Sequence, residues 1–124
     1  MLEAQMRKIA IDLCTAFEAS CDFRYERRYP PTVNSEAEAG IAAGVAEAIV
    51  GSSLVNTNPK PAMGSEDFAY LLQEKPGAYI WIGNGDGEGS CMVHNPGYDF
   101  NDEILPLGAT WFVKMAETSL PPLT

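Results

Sequence analysis

Basic residues, histidine and long apolar runs are all scarce in this sequence. Eight lysines and arginines stand against 17 aspartates and glutamates, which gives a formal net charge of −9. Nucleic-acid affinity depends on cationic side chains that neutralise phosphates, so this balance argues against a nucleic-acid partner and against an anionic membrane surface. No apolar stretch approaches the roughly 18 residues of a membrane span, and the N-terminus lacks the apolar core of a signal peptide.

Cysteine is scarce as well. Cys14, Cys21 and Cys91 are an odd set without the spacing of a disulfide framework, which predicts reduced thiols and a cytoplasmic location. What the chain does contain is a normal globular share of apolar residues, 46% of the total. Its 124 residues suffice for one ordinary domain or for parts of two.

The first 17 residues predict an amphipathic helix. Its apolar residues recur at spacings of three and four, and they are Leu2, Met6, Ile9, Leu13 and Phe17. No serine, threonine, aspartate or asparagine precedes this stretch to cap it. The missing cap leaves two interpretations open: the chain starts inside a helix of a larger protein, or a helix at a free terminus frays.

Further helices are predicted from their end signals. Ser35 and Glu38 have capping-box spacing before a second helix that ends at Gly51. Gly40 and Gly44 weaken that helix, so we expect them to permit close approach of a neighbouring element. A short helix is expected from residue 66 to about residue 73 with its cap at residue 65, and a last helix opens at Pro106.

Two segments predict strands. Residues 21–29 alternate between an apolar face and a charged face, which indicates a half-buried strand that ends at Pro30. Residues 78–82 are a short and mostly apolar run, typical of a buried strand. The resulting order of helices and strands is an α/β pattern, but two strands are too few for an independent sheet. We expect further strands or a partner chain to complete it.

His94 is the single histidine of the sequence. It follows the second predicted strand and the glycine-rich loop of residues 83–90, a place where proteins commonly position ligands. Imidazole is the commonest metal ligand, yet a lone histidine is more often structural, and Cys91 is a weak companion. The residues alone therefore leave a metal role and a structural role open.

Two other segments carry weaker signals. Asn84, Asp86 and Glu88 imitate the first ligand positions of an EF-hand loop, but the twelfth position is Asn95 instead of glutamate. We interpret this loop as a flexible connector and keep a calcium-binding domain as the alternative. Residues 64–68 precede a helix whose free N–H groups could hold an anion, although Ser65 could equally be a simple cap.

Three stretches in sequence order resemble one known family. They are Met63-Gly64-Ser65-Glu66-Asp67-Phe68, the segment from His94 to Asp102, and Leu105-Pro106-Leu107-Gly108-Ala109. They resemble the C-terminus of the amidohydrolase branch of the aminoacylase/carboxypeptidase metallopeptidases. This branch includes hippurate hydrolases and hydrolases of indole-acetyl–amino acid conjugates.

The resemblance covers nearly the whole chain and implies its domain organisation. Residues 1–33 correspond to the C-terminal half of an inserted α+β lid, or dimerisation, domain, of which they retain the last helix and strand. Residues 34–124 correspond to the C-terminal part of the catalytic domain. The implied fold class is α/β, an incomplete remnant of a three-layer catalytic domain.

The same resemblance implies roles for four residues. His94 matches the last metal-binding histidine of a two-metal centre, and Gly64, Ser65 and Glu66 match the segment that lines its substrate side. Two metals would polarise an amide carbonyl and activate water, with a glutamate as general base. That glutamate and the other ligands have no matching segment here, so we expect no catalytic residue in this chain. The implied cofactor is divalent zinc, manganese, cobalt or nickel in the complete enzyme, with none bound by this chain alone.

Two functional hypotheses follow. In the first, the chain is a fragment of a metal-dependent hydrolase of N-acyl amino acids or small peptide amides, and it is inactive alone. In the second, it is a non-catalytic, self-associating module. The strand at residues 21–29 would present unpaired backbone groups, which invite pairing between copies. We therefore expect a homo-oligomer.

Overall fold

The regular structure of this protein is helical. The computed structural model describes residues 1–120, with helices α1 (Leu2–Ala16), α2 (Glu36–Val50), α3 (Phe68–Glu74) and α4 (Leu105–Ser119). Short 3-10 turns lie at Ser52–Leu54 and Asp102–Ile104. None of the helices in this range combines the length and the hydrophobicity needed to cross a membrane. The chain divides into two compact units, Met1–Pro30 and the residues from Pro31 onward.

The two predicted strands do not form within residues 1–120. A strand needs a neighbouring strand to pair with, and residues 77–79 are bonded only to Asn34 and Ser35. The Asn34 side chain accepts a hydrogen bond from the Tyr79 N–H at 2.8 Å and donates one to the Tyr79 carbonyl at 2.9 Å. The Ser35 N–H donates to the Gly77 carbonyl at 2.9 Å. These bonds to the Asn34 side chain and to one backbone group stand in place of the row of backbone hydrogen bonds that joins paired strands. The strands expected of an α/β fold are therefore absent from the described residues.

The first unit consists of α1 and the segment that follows it. The periodicity of residues 2–17 is confirmed as a helix, and its first residue has no side-chain cap. The apolar stripe of this helix is not buried: Leu2, Met6, Ile9, Leu13 and Phe17 are each between 43% and 78% exposed. The unit therefore presents an apolar helix face to solvent, and α1 contains no buried residue.

The second unit is organised by contact between α2 and α4. Its buried core is Ala42, Val45 and Trp111. The Trp111 indole N–H donates to the Ala42 carbonyl at 3.2 Å, so the largest core side chain also has its polar atom satisfied. Partly buried residues complete this cluster, and they are Ala46, Ile49, Ala78, Ile80 and Met115.

The ends of the helices agree with the sequence signals in part. Helix α2 follows Ser35 and stops at Gly51, whose φ of 85° is the left-handed conformation that favours glycine. The expected capping box is wrong, because the Ser35 hydroxyl accepts from the Gly77 N–H at 3.2 Å and does not cap α2. Pro106 lies in the first turn of α4, as predicted. The close approach expected at Gly40 and Gly44 is also wrong, since a Cβ at either position would meet nothing within 4 Å.

Burial is low for a chain of this mass. The buried hydrophobic residues of the described part of the chain are Ala42, Val45, Ala69 and Trp111. No large side chain among residues 1–120 is completely buried.

Candidate functional site

Two asparagines close the base of the long loop that carries His94. The Asn84 carboxamide accepts from the Asn101 N–H at 2.8 Å and donates to the Asp99 carbonyl at 2.8 Å. Asn101 in turn donates from its side chain to the Asn84 carbonyl at 3.4 Å and accepts from the Glu103 N–H at 3.0 Å. Each amide side chain thus satisfies backbone groups of the opposite arm. The loop from residue 84 to residue 101 is held shut at its base and leads directly into α4.

A second crossing braces the same loop closer to its tip. The Asp99 N–H donates to the Gly89 carbonyl at 2.9 Å. Gly89 has a φ of 82°, and a Cβ built on it would lie 2.6 Å from the Asp99 Cβ. Only glycine fits both the left-handed backbone and this close approach. The two crossings define a shaped loop, in contrast to the flexible connector expected from its glycine content.

His94 occupies the third position of a tight turn at the tip of this loop. The Asn95 N–H donates to the Met92 carbonyl at 3.2 Å, and His94 has a φ of 68°. This is the pattern of a type II turn, in which a positive φ at that position normally requires glycine. A histidine held there in the left-handed region is an uncommon and mildly strained choice.

The turn after His94 is fixed by Asn95. The Asn95 side-chain oxygen accepts from the Gly97 N–H at 2.9 Å, and its carbonyl accepts from the Tyr98 N–H at 2.9 Å. An asparagine that bonds the backbone two residues ahead forms an Asx-turn. The exposed imidazole of His94 is therefore carried on two consecutive turns whose backbone is internally hydrogen-bonded.

Gly64, Ser65 and Glu66 lie ahead of α3 and outside its first turn. Helix α3 begins at Phe68 with Asp67 at its N-cap position, so the expected cap at Ser65 is wrong. Gly64 and Ser65 are exposed, whereas Glu66 is half-buried. The segment enters the helix through a turn in which the Glu66 carbonyl accepts from the Ala69 N–H at 3.3 Å.

Glu66 is held by Tyr79. Burial raises the pKa of the Tyr79 phenol, and its hydrogen bond with Glu66 and the charge of that carboxylate raise the pKa further. The Tyr79 ring also packs on Phe68 with 5.5 Å between centroids. The tyrosine therefore links the Gly64–Glu66 segment to the packed residues below α3.

The structure brings Glu66 to Tyr79 but does not join either to His94. Within residues 1–120, no hydrogen bond or ion pair connects His94 with Gly64, Ser65 or Glu66. A zinc-type centre requires at least three protein ligands, and no three His, Cys, Asp or Glu residues in this range are grouped to hold an ion. The residues of this chain do not by themselves fit the implied metal centre, so we assign no catalytic step to it.

The acidic part of the loop does not have the arrangement of a calcium site. Asn84, the expected first ligand, uses both polar atoms of its side chain to hold Asp99 and Asn101. Asp86 and Glu88 are exposed. The loop therefore uses its first polar residue for closure, which is a structural role.

Asn84, Asn101 and Tyr79 support the two motifs, and the sequence patterns did not reveal them. Asn84 lies between two glycines, a pattern typical of a flexible linker. Tyr79 lies in an apolar run, and its hydroxyl is the one sign in the sequence that this run has a polar partner, because a buried tyrosine usually finds a hydrogen-bond partner. Partners distant in sequence, 17 residues apart for Asn84 and Asn101, cannot be found from local spacing.

Comparison with known proteins adds an independent finding. The model of peptidase family M20/M25/M40 matches residues 3–118. The chain is 32% identical over 107 residues to thermostable carboxypeptidase 1 of Saccharolobus solfataricus, covering 84% of this chain and 26% of that protein. It is 28% identical over 116 residues to hippurate hydrolase of Campylobacter jejuni, covering 94% and 30% respectively. It is also 32% identical over 114 residues to IAA-amino acid hydrolase ILR1-like 4 of Arabidopsis thaliana, covering 89% and 25%.

The extent of these matches is unequal. They take in most of this chain, but the chain spans only about a quarter to three tenths of the length of these relatives. No solved structure matches the chain.

Proposed function

The chain belongs to peptidase family M20/M25/M40, and from this premise we propose that it is the C-terminal portion of a metal-dependent amidohydrolase. The proposed parent reaction is hydrolysis of the amide bond of an N-acyl amino acid or small peptide. The names of two relatives, a hippurate hydrolase and an IAA-amino acid hydrolase, support a substrate of this class. We further propose that the chain alone is inactive, because the resemblance implies that the general-base glutamate lies elsewhere and because no metal-ligand group is found among residues 1–120.

We propose that the two parts of the chain belong to two different domains of the complete enzyme. Residues 1–33 would contribute to a lid domain and residues 34–124 to an α/β catalytic domain. In the complete enzyme, additional strands would pair with residues 21–29 and 78–82, which have no ladder partners here. We also propose a cytoplasmic location, because three cysteines without the spacing of a disulfide framework favour reduced thiols.

His94 is proposed as a ligand of a divalent zinc, manganese, cobalt or nickel ion in the complete enzyme. Peptidases of this family are generally dependent on divalent metals. Support comes from the backbone, because His94 keeps a left-handed conformation in a turn that glycine would occupy at lower cost. Strain of this kind is concentrated at binding sites, where the position of one side chain matters more than local stability.

Gly64, Ser65 and Glu66 are proposed to line the substrate side of the same centre. Gly64 and Ser65 are exposed, and a Cβ built on Gly64 would meet nothing within 4 Å. The Glu66 carboxylate lies near enough to the Tyr79 phenol to raise the pKa of that phenol. A segment that is open at one end and anchored at the other suits a substrate-facing position.

A chimera tests this proposal. The chain replaces the matching segment of the Campylobacter jejuni hippurate hydrolase, and metal content and hippurate hydrolysis are measured. We expect metal and turnover to be retained with His94 and lost in His94→Ala, while the exposed Thr118→Ala serves as the matched control. A folded chimera whose metal content is unchanged by His94→Ala would contradict the ligand role. Turnover by the isolated chain, abolished by His94→Ala, would overturn the claim that it is incomplete.

A second candidate function is non-catalytic self-association, with a homo-oligomer expected in either case. The observation that favours it is the exposed apolar stripe of α1, from Leu2 to Phe17. Apolar surface of this kind is rare on soluble monomers and commonly marks an interaction site. Light scattering at high micromolar concentration tests it, with Leu13→Glu as the disrupting variant and Gln5→Glu as the charge-matched control. A monomer at that concentration would count against self-association.

A further inference from the structure

The chain reverses at the C-terminal end of α1, between two cysteines. Glu18 has a φ of 55°; its N–H donates to the Thr15 carbonyl at 3.0 Å, and the Ala19 N–H donates to the Cys14 carbonyl at 2.9 Å. This pair of bonds is a Schellman motif, which ends a helix and turns the chain back. Cys14 lies in the last turn of the helix, and Cys21 lies two residues beyond the motif.

The returning segment then follows α1 towards its N-terminus. The Arg7 guanidinium stacks over the Phe23 ring, 5.0 Å from its centroid. Farther along, the Arg27 guanidinium donates to the Glu3 carboxylate at 2.6 Å. The returning segment therefore contacts α1 near its middle and near its N-terminal end, in addition to the turn at its C-terminal end.

The two thiols are both half-buried, and neither is in a disulfide. Cys14 is also one of the groups that raise the pKa of Cys21, which agrees with two thiols on neighbouring parts of the reversed chain. Cys91, the third thiol, is exposed and lies in the other unit. The first unit therefore contains a pair of half-buried cysteines, whereas Cys91 is the single cysteine of the second unit.

We propose that Cys14 and Cys21 are a reversible oxidation site that closes an intramolecular disulfide at the C-terminal end of α1. The bond would close a loop of eight residues around the Schellman motif. It would tie the returning segment covalently to the helix from which it folds back. The proposal concerns the first unit alone and does not depend on the hydrolase function proposed above.

The oxidant is a low-molecular-weight disulfide of the glutathione class. The thiolate of Cys14 attacks one sulfur of that disulfide, forms a mixed disulfide and releases one small thiolate. Cys21 loses its proton to solvent and attacks the Cys14 sulfur of the mixed disulfide. The Cys14–Cys21 bond forms and the second small thiolate leaves. Two protein thiols are oxidised and one small disulfide is reduced to two thiols, so the electrons balance.

The environment of Cys21 supports this order of steps. Desolvation raises the pKa of Cys21, and its interactions with Cys14 and with the nearby Asp22 charge raise it further, although Arg7 opposes them. A thiol held in its protonated form is the poorer first nucleophile. We therefore assign the first attack to Cys14 and the closing step to Cys21.

The test is oxidation of the chain in glutathione buffers of known ratio, with Cys91→Ser removing the third thiol. Mass spectrometry distinguishes the products, because an internal disulfide loses two hydrogens whereas a mixed disulfide gains a glutathione. Two cysteines only seven positions apart can also form a disulfide in the unfolded chain. The equilibrium constant for closing the Cys14–Cys21 disulfide is therefore measured both in native buffer and in guanidinium chloride. We expect the internal disulfide to be favoured at least roughly ten-fold more in the native chain.

Variants separate the fold from the sequence. Arg27→Ala removes the ion pair with Glu3 and should reduce the native preference, whereas Arg24→Ala removes the same charge from an exposed neighbour and should not. Cys21→Ser should accumulate the mixed disulfide on Cys14 faster than Cys14→Ser accumulates it on Cys21. Circular dichroism establishes that each variant keeps its helices.

Three outcomes would overturn the proposal. One is an equal equilibrium constant in native and denaturing buffer. Another is accumulation of glutathione on both cysteines without an internal bond. The third is oxidation that links separate chains while Cys14 and Cys21 of one chain stay unjoined.

Discussion

Trp111 and Phe112 are neighbours on α4, and replacing each by alanine separates the buried core from the exposed surface. Trp111 is 9% exposed and Phe112 is 71% exposed. The two rings meet edge to face with 5.1 Å between centroids. They are large aromatic residues at consecutive positions of one helix, so helix propensity and position along the chain are closely matched between the two variants.

The expected costs differ because only one ring leaves a cavity. Removing a buried tryptophan costs about 3–5 kcal/mol of unfolding free energy. The hydrogen bond from its indole to the Ala42 carbonyl adds roughly 1 kcal/mol. Phe112→Ala loses the edge contact with Trp111, worth about 0.5–1.5 kcal/mol. Trp111→Ala should therefore cost at least roughly twice as much as Phe112→Ala, because Trp111 is the largest of the three buried residues in the cluster between α2 and α4.

Urea unfolding followed by far-ultraviolet circular dichroism measures both variants. Trp111→Phe is the intermediate case, because it keeps most of the buried area but loses the indole N–H, and its expected cost is about 1–2 kcal/mol. A Phe112→Ala cost equal to or greater than that of Trp111→Ala would refute the reasoning. It would mean that the outer face of α4 is covered in solution and that α2–α4 packing is not the main stabilising contact.

Three further predictions concern turns, helix propensity and pH. Gly89→Ala should destabilise the loop by about 1–2 kcal/mol, because residue 89 has a left-handed backbone. The clash of the new Cβ with Asp99 adds to this cost. Thermal melts compare this variant with Gly87→Ala, the control without a positive φ. Gly44→Ala should stabilise α2 by about 1 kcal/mol in urea titrations, and a loss instead would reveal a surface covering that face. The raised pKa of Tyr79 stabilises the fold fully below its unfolded pKa of about 10 and loses that effect as pH rises through the folded pKa. Tyr79→Phe should flatten this alkaline decline, and an unchanged pH profile would contradict it.

Local signals predicted the helices well because those signals act over one or two turns. The 3.6-residue periodicity of residues 2–17, the glycine at position 51 and the proline at position 106 each correspond to a helix or to one of its ends. Their physical basis is contained within a few neighbouring residues. Serine caps failed because a side-chain oxygen has several possible donors, and Ser35 bonds Gly77 instead of its own helix.

Strands could not be predicted in the same way. Residues 21–29 have the correct alternation, but a strand exists only when a neighbour supplies hydrogen bonds along its edge. The first unit offers no such neighbour, and the segment lies back along α1 through Phe23 and Arg27. Alternation is thus a statement about which faces are apolar, and pairing depends on residues far away in the chain.

The candidate site divides along the same line. The motif around His94 and the segment from Gly64 to Glu66 identified the family from sequence, and the match over residues 3–118 confirms it. Their proposed roles stay predictions. The crossing of Asn84 with Asn101 and the contact of Glu66 with Tyr79 came only from the structure, since they join positions 13 or more residues apart.

Sequence by itself determined the composition limits, the four helical segments and the family, because each rests on residue type or on spacing within a short window. Tertiary structure decided that His94 adopts a left-handed backbone, that Trp111 alone among the large aromatics is buried in the described part of the chain, and that the chain reverses between Cys14 and Cys21. These facts depend on where the chain turns and on what it packs against. A turn closed by long-range hydrogen bonds or a helix face left without a neighbour has no signature in local spacing.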